Sequence, residues 1–422
     1  MRAETGPGRP LFTLGVLTVP FENLWFAPSK GWAAIAPLLL FLYVLRNARR
    51  VPASIARLRP VFAVVLALLA LSGVRYLSHP PVVANLLDAA RSLFLGLTCL
   101  VAIDLRCRDA DDLGPTVRLL GGAYLVALLF GVVQWIAIRT GWDGFLEFHR
   151  SIAMRDVVRR GRVQFGFTEP AFAAMHVFGV MLPLCLRFRG RREARPLLVA
   201  LVGFVVFGLA TRFSLRFVVE GLLVLSLAAA VLVVRRRPPL RVVVPAALAL
   251  LLAGAVAVEK VPRLKRIVAG GVYADESLAA RWFRVRAAAA AWRDDPAGLL
   301  FGYGLGNLWV PLRAGHAEAS AAYDSSYRDE LEVLAQRRAT SVLSLPVRLV
   351  CEFGLLATLA LAVLLFDRRR PFVSLLIPLV YLTFDSYAFY ALWLHVHALV
   401  RAGPVGESGP ARRDEGPRPT IS

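Results

Sequence analysis

Three stretches of this 422-residue chain carry residue types suited to binding anions and moving a proton. In RRGRVQFGFTEP (159–170), Arg159, Arg160 and Arg162 precede one carboxylate, Glu169, at the head of a long apolar run. Guanidinium is always charged and grips phosphate oxygens with two parallel donors. A carboxylate in a partly dry site has its pKa raised by desolvation, towards a value useful to a general base. A second reading needs no ligand: Thr168 caps a helix, Glu169 favours the positive end of its dipole, and Pro170 takes the first turn. In TRFSLRFVVE (211–220), Arg212 and Arg216 mark a helix boundary, and Arg216 and Glu220 lie four apart on one face. They either line an interior cavity or satisfy each other as an ion pair. In SLAARWFRVRAAAAAWRDD (277–295), Arg281, Arg284, Ala288 and Trp292 share one helical face.

Other motifs are weaker. GYGLGN (302–307) lacks the Lys-Ser/Thr of a nucleotide loop and reads as a tight turn that lets backbone approach a helix or a ligand. His316 and Asp324 follow it, and a lone His there reads as a surface residue. DADD (109–112) reads as a solvated charge run. The chain has no HExxH, no Cys/His metal spacing and no Ser/His/Asp order, so neither a metal nor another cofactor is expected. Cys99, Cys107, Cys185 and Cys351 are expected to form no disulfide.

The elements that must position these residues are membrane helices. The chain is 57% hydrophobic, above the roughly 45–50% of soluble domains. The excess lies in uncharged blocks long enough to cross a bilayer, which takes about 20 residues. The pattern predicts an all-α polytopic bundle over 1–401, with helices at 10–27, 33–46, 60–78, 83–104, 118–138, 168–187, 196–211, 216–234, 241–258, 341–366 and 371–400. The last run, with Asp385 near its middle, reads as a tight hairpin, so the total is 11 or 12. The first 21 residues have some signal-peptide character but no small-residue cleavage site, and are read as retained.

A net charge of +21 suggests nucleic acid on a soluble protein, but here the arginines cluster between apolar blocks and follow membrane topology instead. The runs at 46–59 and 187–195 hold five Arg each and are expected to face the cytoplasm, with both termini. Two segments on the opposite, periplasmic side break the pattern. One is 139–167, with six Arg, Arg155 among them; the other is 259–340, expected to be a large, partly helical loop. The Pro/Gly-rich tail 402–422 is expected to be disordered.

Four of these stretches, in order, resemble the O-antigen polymerase and O-antigen ligase superfamily. RVQFGFTEP resembles its Arg-x-x-Gly-x-x-x-Glu-Pro helix opening. LATRFSLRF resembles its Thr-x-Ser-Arg boundary, with the Arg one place later at Arg216. SLAARWFRVRAAAAAWRDDPAGLLFGYGLGN resembles its Arg-bearing loop helix and following glycine turn, and SVLSLPVRLVCEFGLL its closing Glu-x-Gly helix. The resemblance spans about 160–366. It implies an inner-membrane glycosyltransferase that takes glycan from an undecaprenyl-pyrophosphate carrier at the periplasmic face. It also implies an inverting, metal-independent reaction, with polymerase favoured over ligase activity and the choice between the two left open. The implied partners are the lipid-linked oligosaccharide, membrane lipids, and chain-length-regulator or flippase proteins, with no nucleic acid. On this resemblance Gly304 and Asn307 join the arginines as substrate-binding residues, and Glu220, His316 and Glu352 are further candidates. The ligase branch carries His shortly before the closing helix. Here that place reads RRATSVLSL, which moves the base to Glu169. A transporter or flippase of an anionic solute is the other class considered; no internal repeat supports it.

Overall fold

The computed structural model describes residues 8–23, 35–107, 113–153, 158, 161–211, 214–236, 239–321, 341–383, 386–388 and 390–401. Arg155, Arg159, Arg160, Arg212, Asp324, Asp385, the 109–112 run and the tail lie outside them. The regular elements described are all helices. In order they are α1 (Arg9–Leu17), α2 (Ile35–Arg46), α3 (Val51–Arg57), α4 (Arg59–Arg75), α5 (Val83–Arg106), α6 (Gly114–Thr140) and α7 (Asp143–Ile152). Then come α8 (Pro170–Arg187, interrupted by a π turn at Val177–Met181), α9 (Arg195–Thr211), α10 (Leu215–Arg236) and α11 (Leu240–Lys260). A run of short helices surrounds one long one: α12 (Pro262–Gly270), α13 (Glu276–Asp294), α14 (Pro296–Phe301), α15 (Trp309–Ala314) and α16 (His316–Ala321). The chain closes with α17 (Leu345–Leu364), α18 (Pro371–Val380) and α19 (Tyr390–Arg401).

Seven of these helices are long and apolar enough to cross a membrane: α5, α6, α8, α9, α10, α11 and α17. A bent pair, Ala48–Arg57 with Arg59–Arg75 at 84°, makes eight if it is one span. The described residues thus hold seven or eight such helices where 11 or 12 were expected over the chain, and two of the differences are local. The helix expected over 10–27 stops at Leu17. The Thr18 hydroxyl donates to Leu14 O at 2.9 Å, and Pro20 follows, which has no N–H and disfavours helix in the residue before it. The run expected over 371–400 holds two short helices among the described residues, α18 (Pro371–Val380) and α19 (Tyr390–Arg401).

The bend between α3 and α4 has an anchor. Asp104, fully buried at the end of α5, accepts from Ser54 Oγ at 2.7 Å and from Arg57 Nη2 at 2.6 Å. At the opposite end of the spans, α13 to α16 gather a second small core from Ala279, Phe283, Ala287, Leu308 and Leu312, closed by Cys351 of α17. This cap is the helical part of the expected large loop.

Candidate functional site

Glu169 stands at the end of a strapped loop. Phe165 holds φ = +57°, a left-handed conformation unusual for a bulky residue. The buried Gln134 side chain of α6 holds it there. Its Oε1 accepts from the N–H groups of Gln164 (2.9 Å) and Phe165 (2.8 Å), and its Nε2 donates to Phe165 O (2.8 Å). On the other side Asn23 N–H donates to Gly166 O at 3.0 Å. A Cβ on Gly166 would lie 2.6 Å from Pro20 O, so this approach needs glycine. Below the loop, His176 stacks under Phe167 with ring centroids 4.6 Å apart. Its Nδ1 meets Tyr124 Oη at 2.7 Å and its Nε2 meets Glu22 Oε1 at 3.0 Å. Strain held by this much support is a recurrent mark of functional sites.

The helix-cap reading of the same residues needs correction. Glu169, not Thr168, is the N-cap residue of α8, and its side chain makes no capping bond. Its backbone is extended (φ −141°, ψ 148°), which leaves the carboxylate to be used elsewhere.

It is used near arginines. Arg281 on α13 lies within electrostatic range of Glu169, Arg216, Arg263 and Arg284. Burial first, then the like charge of Arg216, holds the Arg281 guanidinium below its usual range; Glu169 opposes this and Arg263 and Arg284 add to it. Arg281 Nη1 donates to Ser277 Oγ at 2.7 Å, but Nε is buried and has no hydrogen-bond partner among the described residues. Arg216, almost buried, pairs with Glu220 one turn on and donates to Val380 O at 3.1 Å. The pairing expected from i,i+4 spacing is therefore present, and it lies beside the other charges rather than apart from them. Arg284 reaches back to Ala280 O at 3.5 Å. Arg281 is thus in range of three other guanidiniums and of Glu169, while Arg216 pairs with Glu220, Arg263 pairs with Asp275, and Glu276 also acts on Arg263.

Arg263, on the short helix α12, escaped the sequence reading. The signal was there in PRLKR, but that run reads equally as a solvated face. It pairs with Asp275, whose Oδ1 accepts from Arg263 Nη2 at 2.6 Å and from the N–H of Leu278 at 3.0 Å, capping α13. Burial pushes the Asp275 carboxyl up, but the Arg263 bond and the cap outweigh it, and its pKa is lowered. A lowered carboxylate pKa gives stability that is present above the unfolded value of about 4 and is lost as pH falls through the folded one. Asp275→Asn keeps the cap but not the charge. In that variant the fall in melting temperature of the purified protein between about pH 7 and about pH 3 is expected to be shallower than in the parent. Unchanged pH dependence would remove the linkage.

The remaining candidates lie in three other places. Arg162 is exposed and makes no hydrogen bond or ion pair among the described residues. The turn at 302–307 is wedged between α4 and α17. Leu305 N–H donates to Ser72 Oγ at 3.1 Å, Tyr76 Oη to Leu305 O at 2.9 Å, and Arg75 Nε to Gly302 O at 2.8 Å. Tyr303 and Gly304 N–H groups donate to Cys351 O and Glu352 O, both at 2.8 Å. Asn307 Nδ2 donates to His79 O at 2.7 Å and to Tyr303 O at 2.8 Å. The donors of Gly304 and Asn307 are therefore spent on protein, and the tight-turn reading describes their surroundings.

Glu352 holds this turn. It is fully buried; Oε1 accepts from Gly306 N–H at 3.1 Å and from Arg348 Nη2 at 3.2 Å, and Oε2 accepts from Tyr387 Oη. Arg348 stacks on the Tyr387 ring at 4.4 Å. RLVCE repeats the Arg-to-Glu spacing of RFVVE, a signal the sequence reading left unused. Gly354 breaks α17 with φ = +85°, and a Cβ there would meet Leu300 O at 2.2 Å. His316 packs in the cap, edge-on to Phe283 at 5.4 Å, with Nδ1 near Ser320 Oγ at 3.3 Å. It is half-buried rather than a surface residue.

Compared with protein-family models, with curated proteins and with solved structures, the chain matches none.

Proposed function

We propose that this chain is an inner-membrane glycosyltransferase that polymerises undecaprenyl-pyrophosphate-linked glycan repeats at the periplasmic face. The observation that carries this is Arg281: part-buried, with an unpartnered Nε, crowded by Arg216, Arg263 and Arg284 and beside Glu169. Crowded guanidiniums in a partly dry site are costly without an anion, and pyrophosphate can engage several at once. The acceptor hydroxyl oxygen attacks the anomeric carbon of the lipid-linked sugar while its proton passes to Glu169. The bond from that carbon to the pyrophosphate oxygen breaks, and its electron pair leaves with the phosphate. Charge gathering on the leaving group is met by arginines already in place, the preorganised stabilisation that dominates many such steps.

The test is purified protein in detergent with a lipid-pyrophosphate-linked oligosaccharide. The expected result is glycan lengthening that releases lipid pyrophosphate and is lost in Arg281→Gln. A transporter has no product to make in detergent, so a folded protein with no elongation or transfer across a panel of repeat units would overturn the reading.

A further inference from the structure

The span α11 has no buried residue in its apolar window, and Leu248, Leu251, Leu252 and Val256 are all more than half exposed. In a bilayer that surface faces lipid. The span ends at Lys260. Val261 is extended (φ −111°, ψ 99°), and Pro262 starts a new helix, α12. Over its nine residues, Leu264, Ile267 and Val268 fall on one arc and Arg263, Lys265 and Arg266 on the other. Val268 is 64% exposed while Leu264 and Ile267 are half-buried, so the apolar arc is open at Val268. Lys265 and Arg266 are exposed on the opposite arc; Glu259 meets Lys265 Nζ at 3.1 Å. Arg263 is turned inward to Asp275.

We infer that α12 lies in the membrane interface and docks anionic phospholipid headgroups, in the leaflet at the arginine-cluster end of the bundle. A short helix with an apolar arc open at Val268, basic residues opposite, and a lipid-facing span feeding it is suited to that plane. The apolar arc enters the acyl boundary while Lys265 and Arg266 stay at the level of the phosphates. The charge of the surface fits the charge of the partner. Because Arg263 on the same helix holds the cap residue of α13, lipid docking also steadies the helix that carries Arg281 and Arg284. The inference rests on α11 being a membrane span and not on the transferase reading.

The experiment places an environment-sensitive fluorophore at Val268→Cys in a Cys185→Ala background, the other three cysteines being buried. The full-length protein is reconstituted in nanodiscs of phosphatidylcholine with and without phosphatidylglycerol, each carrying doxyl-labelled lipid. The expected signal is blue-shifted and quenched at interfacial depth, with doxyl-phosphatidylglycerol the better quencher. Lys265→Gln and Arg266→Gln should each cut that preference about five-fold, the weight of one basic residue near an anionic surface. A water-exposed fluorophore in every disc overturns the inference. So does quenching that ignores lipid charge and both substitutions, which means apolar insertion alone. Disulfide crosslinking of two copies of the unlabelled Val268→Cys variant through the introduced thiols also overturns it, because a second chain then covers the face.

Discussion

Glu169→Gln should leave a folded protein at normal membrane levels with glycan formation reduced by about 10²–10⁴-fold, the usual cost of losing a general base. The substitution keeps side-chain shape and removes basicity. Stability should hold because the carboxylate makes no helix-capping bond; a cap role would have cost about 1 kcal/mol. The loop that presents it is held by Gln134, Asn23 and the His176 stack, none of which depends on the Glu169 charge. Chain formation in a null strain, with membrane levels matched by immunoblot, reads the result. Near-normal chains would remove Glu169 as the base. An inactive variant could also arise from one lost substrate hydrogen bond. The pH profile separates the two: loss of a base abolishes the acidic limb of the rate, and loss of a hydrogen bond lowers the whole curve.

Glu352→Gln should cost about 3–5 kcal/mol of stability, because it strands the buried Arg348 charge. The same change weakens the acceptors of Gly306 N–H and Tyr387 Oη, so the turn at 302–307 should loosen from α17. Pairing it with Arg348→Met removes the stranded cation and should recover much of the loss, since a buried ion pair replaced by apolar bulk is often neutral. Thermal unfolding in detergent measures both, and protease sensitivity within 302–307 reports on the turn. A single variant as stable as the parent would mean that the pair contributes nothing to holding the turn. A double variant as unstable as the single would mean that the loss comes from the missing acceptor and not from the stranded charge.

Much of the architecture was legible because it depends on local composition. Predominantly apolar blocks at 83–104, 118–138 and 241–258 became α5, α6 and α11 within a few residues, since a helix satisfies its own backbone where lipid offers no partner. The Arg216–Glu220 pair was legible as well, because neighbours four apart on a helix meet whatever surrounds them. Local chemistry also set the errors. The 10–27 block is mostly apolar, and hydropathy does not register that Thr18 and Pro20 end its helix. Glu169 beside Pro170 has the composition of a helix start, but whether its carboxylate turns back to the helix or out to a partner depends on a loop fixed by Gln134, 35 positions earlier. The sequence by itself determined an all-helical chain, its apolar spans and which residues could hold charge. Only the tertiary structure decided that Arg281 comes within electrostatic range of Glu169, Arg216, Arg263 and Arg284 while Gly304, Asn307 and Glu352 build a wedge instead. Electrostatic range is set by distance through space, and residues more than a hundred positions apart come within it only when the helices between them have packed.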